Sequence, residues 1–562
     1  MKKSNLFKRV LALSLLLVMA FGLLGVQAYA EGVDLGAETK GSVTVSGAEA
    51  GVTVSAYQLM TVTVGAVTGG YQPKEPAYVW VDAVADWVRA NYPAYIGEDD
   101  NRVTAAFSPD ADPAVSDSGT GAANAALFYD KLANAIKSGT VSLSATKSET
   151  TDENGAATIA DLPLGNYLIL TEGGMRVYKP LAVNLIPAYD ETKGWQLDTP
   201  VTANVVAKSS LPSVDKKVGT AANSVDKDAV EVNIGDTVYY EVVVDIPRFP
   251  ENAIARNFVI SDKMDAGLTF NTDSLKVYGV KADGTETELA ENTNFTRATK
   301  NPKNDSAVDF AVIFSDKAKY DTITGYEKIK LTYSAILNKD AVIGAGGNWN
   351  TVTLDYSNNP YVSGNYNPNP PTDKTAVYSY GLDITKVDAQ NTDTKLPGAE
   401  FTLKLKGEST AIKFVGEAGS YRKALTDNES GATTTLVTGT NGKLTLTGLA
   451  AGTYVLEETK APGGYNLPQT TTIEIVIKDE LILNDDGSTV AGLDGKVETS
   501  GENDTVEHHA DGLVPLTVTN SKLFTLPQTG GTGTLLFSLI GVVLMGAGVL
   551  VVLMALRRRK VQ

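Results

Sequence analysis

The sequence predicts an all-β protein made of tandem β-sandwich domains, and three observations lead to this prediction. Short runs of alternating apolar and polar residues recur along the chain, are rich in Val, Thr and Tyr, and are separated by Gly, Asn and Asp. A helical pattern is limited to Val81–Asn91 and Ala122–Ser138. The 562 residues are too many for one core, and at roughly 100–200 residues per domain they predict about three or four domains. Tandem sandwiches account for both the short strands and the length.

Two polar segments mark the predicted domain boundaries. Lys208–Pro212 is a short polar linker, and Asn365–Asp373 is rich in Pro and Asn and cannot form a central strand. The domains predicted from these boundaries are residues 31–208, 209–376 and 377–522. The clearest alternating runs inside the domains are Ser42–Ser46, Thr237–Val244, Lys328–Tyr333, Leu444–Leu446 and Leu516–Thr519.

The first and third domains share a partial internal repeat. Each has an Asn-Gly turn, one at Asn154-Gly155 and one at Asn441-Gly442. A strand, a Gly-containing turn and a strand with a Tyr follow in both copies, so that Leu162–Ile169 corresponds to Leu449–Leu456. The repeat predicts that these two domains are copies of one sandwich type.

The N-terminal segment has the three parts of a secretory signal peptide. Basic residues come first, the apolar run Val10–Leu24 follows, and Ala28-Tyr29-Ala30 matches a small-residue cleavage pattern. We therefore expect residues 1–30 to be removed and the mature chain to begin at Glu31. An uncleaved N-terminal membrane anchor is the alternative.

The C-terminal segment also has three parts in a fixed order. The first is the pentapeptide LPQTG at 526–530, which is defined by Leu526, Pro527, Thr529 and Gly530. Residues 535–556 then form a stretch of 22 residues without a charge, about 33 Å long as a helix, which predicts a transmembrane helix. The basic tail at 557–562 is expected to hold the C-terminus inside the cell, because cytoplasmic flanks are rich in Arg and Lys.

This arrangement resembles the cell-wall sorting signal of Gram-positive surface proteins. The resemblance implies that the cysteine of a sortase attacks the carbonyl of Thr529, releases Gly530 and holds a thioester until an amine arrives. The chain would then be a single-pass membrane precursor only until it is cut, and afterwards a protein of the cell wall or cell surface. A single-span membrane protein that is never cut is the alternative.

Composition argues against several other functions. The net charge of −18 and the pI of about 4.7 disfavour a nucleic-acid partner. Cysteine is absent, so disulfides cannot stabilise the exported chain. The two histidines, His508 and His509, are adjacent and lack supporting ligands, so we expect no metal site and no cofactor. The sequence contains no His paired with a nucleophile and no phosphate-binding loop, which argues against a surface enzyme.

The most specific internal motif lies in the third domain. It resembles the E-box, YxLxETxAPxGY, of Gram-positive pilins. The matching residues are Tyr454, Leu456, Glu458, Thr459, Ala461, Pro462, Gly464 and Tyr465. The surrounding domain is similar to the collagen-adhesin B-type repeat, which is an immunoglobulin-like sandwich. This resemblance implies three tandem immunoglobulin-like domains and a spontaneous amide (isopeptide) bond between a Lys and an Asn side chain.

Strand alternation turns three polar side chains of the third domain toward its core. Lys386, Glu458 and Asn520 are each in phase with apolar neighbours on a predicted strand. Burial of an unpaired amine and carboxyl is costly, and it favours the neutral form of each group. A neutral Lys386 could attack the side-chain carbonyl of Asn520 while a protonated Glu458 polarises it, and ammonia would leave. A solvated salt bridge on ordinary strands is the alternative.

The middle domain resembles the second, isopeptide-forming domain of backbone pilins. Lys216 alternates in phase with valines in the first predicted strand, and Lys217 is the rival lysine. Asp262 is in phase with apolar neighbours and is the expected carboxyl. The candidate acceptors are Asn348, Asn350 and Asn358, and Asn350 is preferred because it is in phase with the apolar residues that follow it. Unlinked surface residues are the alternative.

Polymerisation of pilins needs an acceptor lysine, which in this family ends the pattern W-x3-V-x-V-Y-P-K after the first domain. Trp195, Val201, Val206 and Lys208 match this pattern loosely, although the spacing is longer and Val206-Ala207 replaces Tyr-Pro. The resemblance therefore implies Lys208 as the acceptor. Lys179 is the alternative, and we expect it to lie inside a strand.

Together the resemblances imply the major (backbone) subunit of a covalent surface pilus. A pilin-type (class C) sortase would join Thr529 of one copy to Lys208 of the next, and a housekeeping sortase would transfer the fibre to peptidoglycan. The resemblance also implies accessory pilins as partners and leaves room for host surface ligands. The main alternative is a wall-anchored adhesin or minor pilin that has the same modules but is not polymerised.

Overall fold

The computed structural model describes residues 39–67, 70–104, 106–107, 121–190, 194–196, 200–483, 490–499, 511–522 and 532–558. The predicted signal peptide, the LPQTG motif and the two histidines lie outside the described residues. Contacts within the chain divide it into two compact units. One unit contains residues 1–342, 346–378 and 481–492, and the other contains residues 343–345, 379–480 and 493–562. The division predicted between residues 208 and 209 falls inside the first unit and stays a prediction.

The first domain contains two sheets and two helices. Its elements are β1 (Lys40–Ser46), β2 (Thr53–Val67), β3 (Gly70–Trp80), α1 (Asp82–Asn91), α2 (Gly121–Lys137), β4 (Lys147–Thr150), β5 (Ala157–Pro163), β6 (Gly165–Glu172), β7 (Val177–Tyr178), β8 (Leu181–Leu185), β9 (Ala188–Asp190), β10 (Gly194–Gln196) and β11 (Val201–Val206). The strand order is β11-β1-β5 in one sheet and β8-β6-β2-β3-β10-β9 in the other, with β4 beside β2. The sequence predicted both helices within a residue of their observed ends.

The two helices of the first domain cover an aromatic core. Helix α1 buries Val84, Ala85 and Val88. Val88 lies four and three residues after the other two, which is the spacing that places side chains on one face of a helix. Trp80 and Phe128, from β3 and α2, pack in this core with ring centroids 5.9 Å apart. A second apolar cluster lies between β1, β5 and β6. Burial of these side chains accounts for the stability of helices in an otherwise β-rich chain.

The middle domain is a sandwich of two six-stranded sheets. Its elements are β12 (Ser209–Ser210), β13 (Val214–Gly219), β14 (Ala229–Glu231), β15 (Thr237–Asp245), β16 (Phe258–Met264), β17 (Leu268–Phe270), β18 (Lys276–Val280), β19 (Glu286–Glu288), β20 (Thr296–Lys300), β21 (Ala307–Ile313), α3 (Lys317–Ile323), β22 (Lys328–Leu337), β23 (Asn348–Tyr356) and β24 (Thr372–Tyr378). One sheet has the order β13-β15-β22-β18-β19 with β17 beside β22, and the other has the order β14-β24-β23-β16-β21-β20. Strand β12 pairs with β7 of the first domain.

Helix α3 was not expected from the sequence. The carboxylate of Asp316 caps it by accepting hydrogen bonds from the backbone amides of Ala318 and Lys319. Tyr320 and Ile323 are buried on its inner face. Seven residues are too few to show a helical period clearly, which explains why the sequence pattern did not reveal this helix.

The third domain is a sandwich in which the first and last strands are neighbours. Its elements are β25 (Tyr380–Asp388), β26 (Asn391–Lys395), β27 (Glu400–Leu405), β28 (Phe414–Glu417), β29 (Ser420–Lys423), β30 (Leu436–Val437), β31 (Lys443–Leu449), β32 (Gly452–Lys460), β33 (Thr472–Leu483), β34 (Val490–Thr499) and β35 (Leu513–Asn520). One sheet has the order β26-β25-β31-β29-β28, with β35 parallel to β25, and the other has the order β30-β27-β32-β33-β34.

The first and third domains share features that agree with the sequence repeat. In both, the first strand pairs in parallel with the last, as β1 with β11 and β25 with β35. The hydroxyl of Tyr167 donates to the Pro163 carbonyl at 2.6 Å, and that of Tyr454 donates to the Ala450 carbonyl at 2.8 Å. Each tyrosine therefore closes the turn that precedes its own strand.

Helix α4 (Thr532–Arg558) follows the sorting motif. Among the residues that the structure describes, no helix meets the length and hydropathy required to cross a membrane. The transmembrane helix predicted for residues 535–556 therefore stays a prediction.

Candidate cross-linking sites and acceptor lysine

Lys216 on β13 is buried in the core of the middle domain. Strand β13 buries Lys216 and Val218 and exposes Asp215, as the two-residue period of a strand requires. The Lys216 ammonium forms an ion pair with the carboxylate of Asp262, which lies on β16 in the opposite sheet, and both side chains are 0% exposed. The lysine and the expected carboxyl of this domain are thus in direct contact.

Tyr333 and Asn350 complete this group, which we call the middle cluster. Lys216 Nζ donates to Tyr333 Oη at 2.5 Å, and Tyr333 donates to Asp262 Oδ2 at 2.6 Å. Asn350 Nδ2 donates to the same tyrosine oxygen at 3.2 Å. Lys216 and Tyr333 come from one sheet, whereas Asp262 and Asn350 come from the other. A Lys216–Asn350 amide would therefore join the two sheets of the sandwich.

The rival residues of the middle domain have other partners. Lys217 is partly exposed and pairs with Asp228 at 2.7 Å, which raises its pKa. The amide of Asn348 bonds to the backbone of Val342 and Val377. Asn358 donates to the carbonyl of Gly174 in the first domain at 2.7 Å. Within the described residues, Asn350 is the candidate amide that shares a hydrogen-bond partner with Lys216.

The third domain holds a similar group, which we call the third-domain cluster. Lys386 Nζ lies 2.8 Å from Glu458 Oε2, and Asn520 Nδ2 donates to Glu458 Oε1 at 2.8 Å. All three side chains are buried. Lys386 and Asn520 lie on the adjacent parallel strands β25 and β35, and Glu458 on β32 faces them from the opposite sheet. One carboxylate therefore bridges the amine and the amide.

The rest of the E-box lies on β32 and in the turn that follows this strand. Tyr454 and Leu456 share the buried face of β32 with Glu458, and Thr459 Oγ1 donates to the Glu400 carbonyl at 3.2 Å. The turn that follows contains Ala461, the buried Pro462 and Gly464, whose φ of 87° lies in the left-handed region that favours glycine.

Two contacts connect this turn to β25 and β35. Tyr465 donates to Asp388 Oδ2 at 3.0 Å, beside the paired residues Asp388 and Asn520. Asn520 Nδ2 also donates to the Asn466 carbonyl at 2.8 Å. The motif thus supplies the carboxyl, and the residue that follows it, Asn466, helps to orient the asparagine amide.

Burial shifts the pKa of Lys216, Lys386 and Asp262 in the direction that an amide-forming reaction needs. Burial lowers the pKa of Lys216 and of Lys386, although their carboxyl partners oppose this effect. Burial also raises the pKa of Asp262. A proton can therefore pass from Lys216 to Asp262, which leaves a neutral, nucleophilic amine beside a neutral acid.

Both clusters contain side-chain oxygens that lack a hydrogen-bond donor. Within the described residues, Asp262 Oδ1, Asn350 Oδ1 and Asn520 Oδ1 are buried without a hydrogen-bond partner. Buried acceptors without partners are uncommon because the lost hydration costs free energy. In the middle cluster, a proton on Asp262 would supply a donor at a site where the Asn350 carbonyl has none.

Lys208 is exposed and lies between β11 and β12. Its carbonyl accepts a hydrogen bond from the Lys179 amide at 2.9 Å, and the next residue, Ser209, pairs with Tyr178. Arg176 donates to Ser209 Oγ at 3.1 Å. The backbone at Lys208 is therefore held on the first domain while its side chain reaches solvent. The expectation that Lys179 lies inside a strand was wrong, because β7 ends at Tyr178 and Lys179 is exposed beyond it.

Tyr333 is the member of the middle cluster that sequence reasoning missed. The alternating run on β22 buries Ile329, Leu331 and Tyr333 on one face, so the inward orientation could have been read from the pattern. An inward tyrosine is usually an ordinary core residue. Its contacts with a lysine, an aspartate and an asparagine from other strands could be seen only in the folded protein.

Three family models match the chain in order. Residues 234–360 match the Gram-positive pilin backbone subunit 2, Cna-B-like domain; residues 381–488 match a prealbumin-like fold domain; and residues 518–562 match the LPXTG cell wall anchor motif. The first two matches contain most of the residues of the two clusters, and the third contains LPQTG.

Curated relatives and a solved structure agree with these matches. The chain is 28% identical over 395 residues to the trypsin-resistant surface T6 protein of Streptococcus pyogenes serotype M6, which covers 60% of this chain and 67% of the relative. It is 24% identical over 480 residues to fimbrial subunit type 1 of Actinomyces viscosus, covering 77% of this chain and 80% of the relative. The solved T6 backbone pilin has the same fold, with a TM-score of 0.54 and 21% identity over 86% of this chain and 99% of that one. The chain is thus a surface protein of the Gram-positive backbone-pilin type, the major subunit of a sortase-assembled pilus, with an LPXTG cell-wall anchor.

Proposed function

We propose that this pilin subunit is stabilised by two intramolecular isopeptide bonds, Lys216–Asn350 and Lys386–Asn520, and is polymerised through Lys208 and Thr529. The observation that carries the first part is the burial together of an amine, a carboxyl and an asparagine amide in two separate domains, connected through Tyr333 in one and through the carboxylate in the other. A lysine, an acidic residue and an asparagine come together at both sites from strands far apart in sequence, which argues for a shared chemistry.

The bond forms by replacement of the amide nitrogen of asparagine. The neutral lysine Nζ attacks asparagine Cγ, the Cγ–Nδ2 bond breaks, and ammonia leaves with one proton from the attacking nitrogen. Asp262 or Glu458 takes up the lysine proton and returns a proton to the departing nitrogen, so that the carboxyl is regenerated. Each bond therefore lowers the mass of the chain by one ammonia.

A second group of lysine, aspartate and asparagine in the middle domain is less buried than the middle cluster. Lys303 contacts Asp355 at 2.9 Å, and Asn301 donates to the same carboxylate at 2.7 Å. The composition matches that of the middle cluster, but 24% of the Lys303 side chain is exposed. Water can solvate its ammonium, so this group is expected to remain an ordinary ion pair without an amide bond.

The exposure of Lys208 supports its role as the acceptor in polymerisation. Its amine would attack the thioester between a sortase cysteine and Thr529 of another copy, which forms an amide and frees the thiol. Lys179 is a weaker candidate because it interacts electrostatically with Asp130, a carboxyl whose pKa burial raises to about 6. We assign the transfer to a pilin-type (class C) sortase, and attachment of the finished fibre to peptidoglycan to a housekeeping sortase. Accessory pilins and host surface ligands belong to this proposal as further partners.

A gel ladder of covalent polymers from cell-wall extracts tests the acceptor. Lys208→Ala should abolish the ladder, whereas Lys179→Ala should leave it intact. Mass spectrometry of tryptic peptides from the wild-type ladder should show Thr529 joined to Lys208. A ladder that survives Lys208→Ala would reject this acceptor, and the absence of any ladder in the wild type would favour an adhesin or minor pilin that is not polymerised.

A further inference from the structure

The carboxyl reaches the asparagine amide differently in the two clusters. In the third-domain cluster, the two oxygens of Glu458 contact Lys386 and Asn520 separately, each at 2.8 Å. In the middle cluster, Asp262 Oδ2 contacts Lys216 and Tyr333, and Asp262 Oδ1 has no partner within the described residues. The aspartate is one methylene shorter than a glutamate, and a tyrosine oxygen accepts from the asparagine amide, which in the third domain donates to the second carboxylate oxygen.

Tyr333 Oη is the atom that all three reacting groups of the middle cluster share. It accepts from the attacking nitrogen, Lys216 Nζ, at 2.5 Å and from the departing nitrogen, Asn350 Nδ2, at 3.2 Å. It donates its own proton to Asp262 at 2.6 Å. We propose that Tyr333 is a catalytic residue of the middle domain that relays a proton between these two nitrogens. This inference rests on the proposed Lys216–Asn350 bond.

The relay balances without another reactant. After Nζ attacks Cγ, the attacking nitrogen carries a proton that must be lost, and the former amide nitrogen has a lone pair that must be protonated. The hydroxyl of Tyr333 gives its proton to Nδ2, the neutral Asp262 gives its proton to Tyr333, and the resulting carboxylate takes the surplus proton from the nitrogen of Lys216. The Cγ–Nδ2 bond then breaks and ammonia leaves, with the tyrosine and the aspartic acid restored.

Aromatic packing around Tyr333 holds its ring in one position. Its ring stacks on Tyr240 with centroids 5.1 Å apart and meets the edge of Phe310 at 4.9 Å. Tyr333 is 3% exposed, so bulk water does not reach its hydroxyl to carry the proton instead. Burial and the Asp262 charge raise the pKa of Tyr333, so the phenol keeps its proton except while the proton is being exchanged.

The test follows bond formation in the full chain after synthesis, with the linked tryptic peptides quantified over time. Tyr333→Phe removes the hydroxyl and keeps the ring, and we expect the Lys216–Asn350 bond to form slower by about 100-fold or more, the range for loss of a general acid–base group. The Lys386–Asn520 bond in the same molecule should form at the wild-type rate and serves as an internal control. Tyr240→Phe is the matched control, because it removes a buried hydroxyl from the stacked ring that interacts with Asn350 but forms no hydrogen bond to Lys216 or Asp262 within the described residues.

A second variant separates catalysis from packing. In Tyr333→Phe combined with Asp262→Glu, the longer carboxyl can contact both Lys216 and Asn350, as Glu458 contacts both partners in the third domain, and the bond should return. A Tyr333→Phe chain that cross-links at the wild-type rate overturns the relay, as does a slow single variant that the double variant does not rescue. A wild-type chain without the Lys216–Asn350 peptide instead overturns the proposed function of this site.

Discussion

Removal of the acceptor amide of the third domain, by Asn520→Ala, is the most direct test of the cross-links. The substitution leaves the 2.8 Å contact between Lys386 and Glu458 in place but removes the carbon that the amine attacks. The chain should then lose one ammonia instead of two, because only the Lys216–Asn350 bond can form. The linked peptide containing Lys386 should disappear from the tryptic digest.

The expected loss of stability follows from the length of the loop that the bond closes. Lys386 and Asn520 are 134 positions apart, and a cross-link over that span lowers the entropy of the unfolded chain by an amount equivalent to about 5 kcal/mol. At about 2.1 cal/mol/K of unfolding entropy per residue over residues 377–522, this corresponds to a fall in Tm of about 16 °C. The hydrogen bonds from Asn520 Nδ2 to Glu458 and Asn466 do not enter this difference, because that nitrogen leaves as ammonia when the bond forms.

Calorimetry of the full chain measures this change, because the Tm of the third domain should fall while the Tm of the other domains is unchanged. Asn466→Ala is a matched control: it removes an asparagine side chain from the adjacent turn, where, among the described residues, the side-chain amide donates to the Lys522 carbonyl at 3.2 Å. This control should keep both bonds and shift Tm by no more than about 3 °C, as expected for one exposed hydrogen bond. A full mass deficit in Asn520→Ala, or a bond lost with no more destabilisation than in the control, would refute the reasoning.

Three further predictions concern other parts of the chain. Lys208→Ala should abolish the ladder of polymers that Lys179→Ala retains, as judged by denaturing gels of cell-wall extracts. Burial raises the pKa of Asp130 to about 6, so the folded state binds a proton more tightly than the unfolded state. The free energy of unfolding should therefore fall by at most about 3 kcal/mol as pH rises from about 4 to about 6. Denaturant unfolding at several pH values should show this slope, and Asp130→Asn should remove it; Lys179 and Glu251 are the charged groups that act on Asp130. Lys303, although paired with a buried aspartate, should appear only in unlinked tryptic peptides, since its partial exposure keeps the ammonium solvated; a linked peptide containing it would contradict the role assigned to burial.

The local pattern of the sequence determined which side chains enter each core. A strand has a period of two residues, so the apolar neighbours of Lys386, Glu458 and Asn520 indicate the buried face without knowledge of the fold. The same reasoning predicted that Lys216 rather than Lys217 points inward, and the structure agrees. The sorting motif and the E-box also depend only on residues close together in the chain, so one sequence was enough to find them.

Contacts between distant strands were decided only by the tertiary structure. Alternation places Asn348 and Asn350 on the same face of β23, and only packing shows that backbone groups satisfy the first while the second reaches the middle cluster. Tyr333 was visible as an inward residue but not as the bridge between a lysine and an amide. The physical reason is that the period of a strand determines direction, whereas the distance between two side chains depends on how two sheets pack and in which register their strands pair.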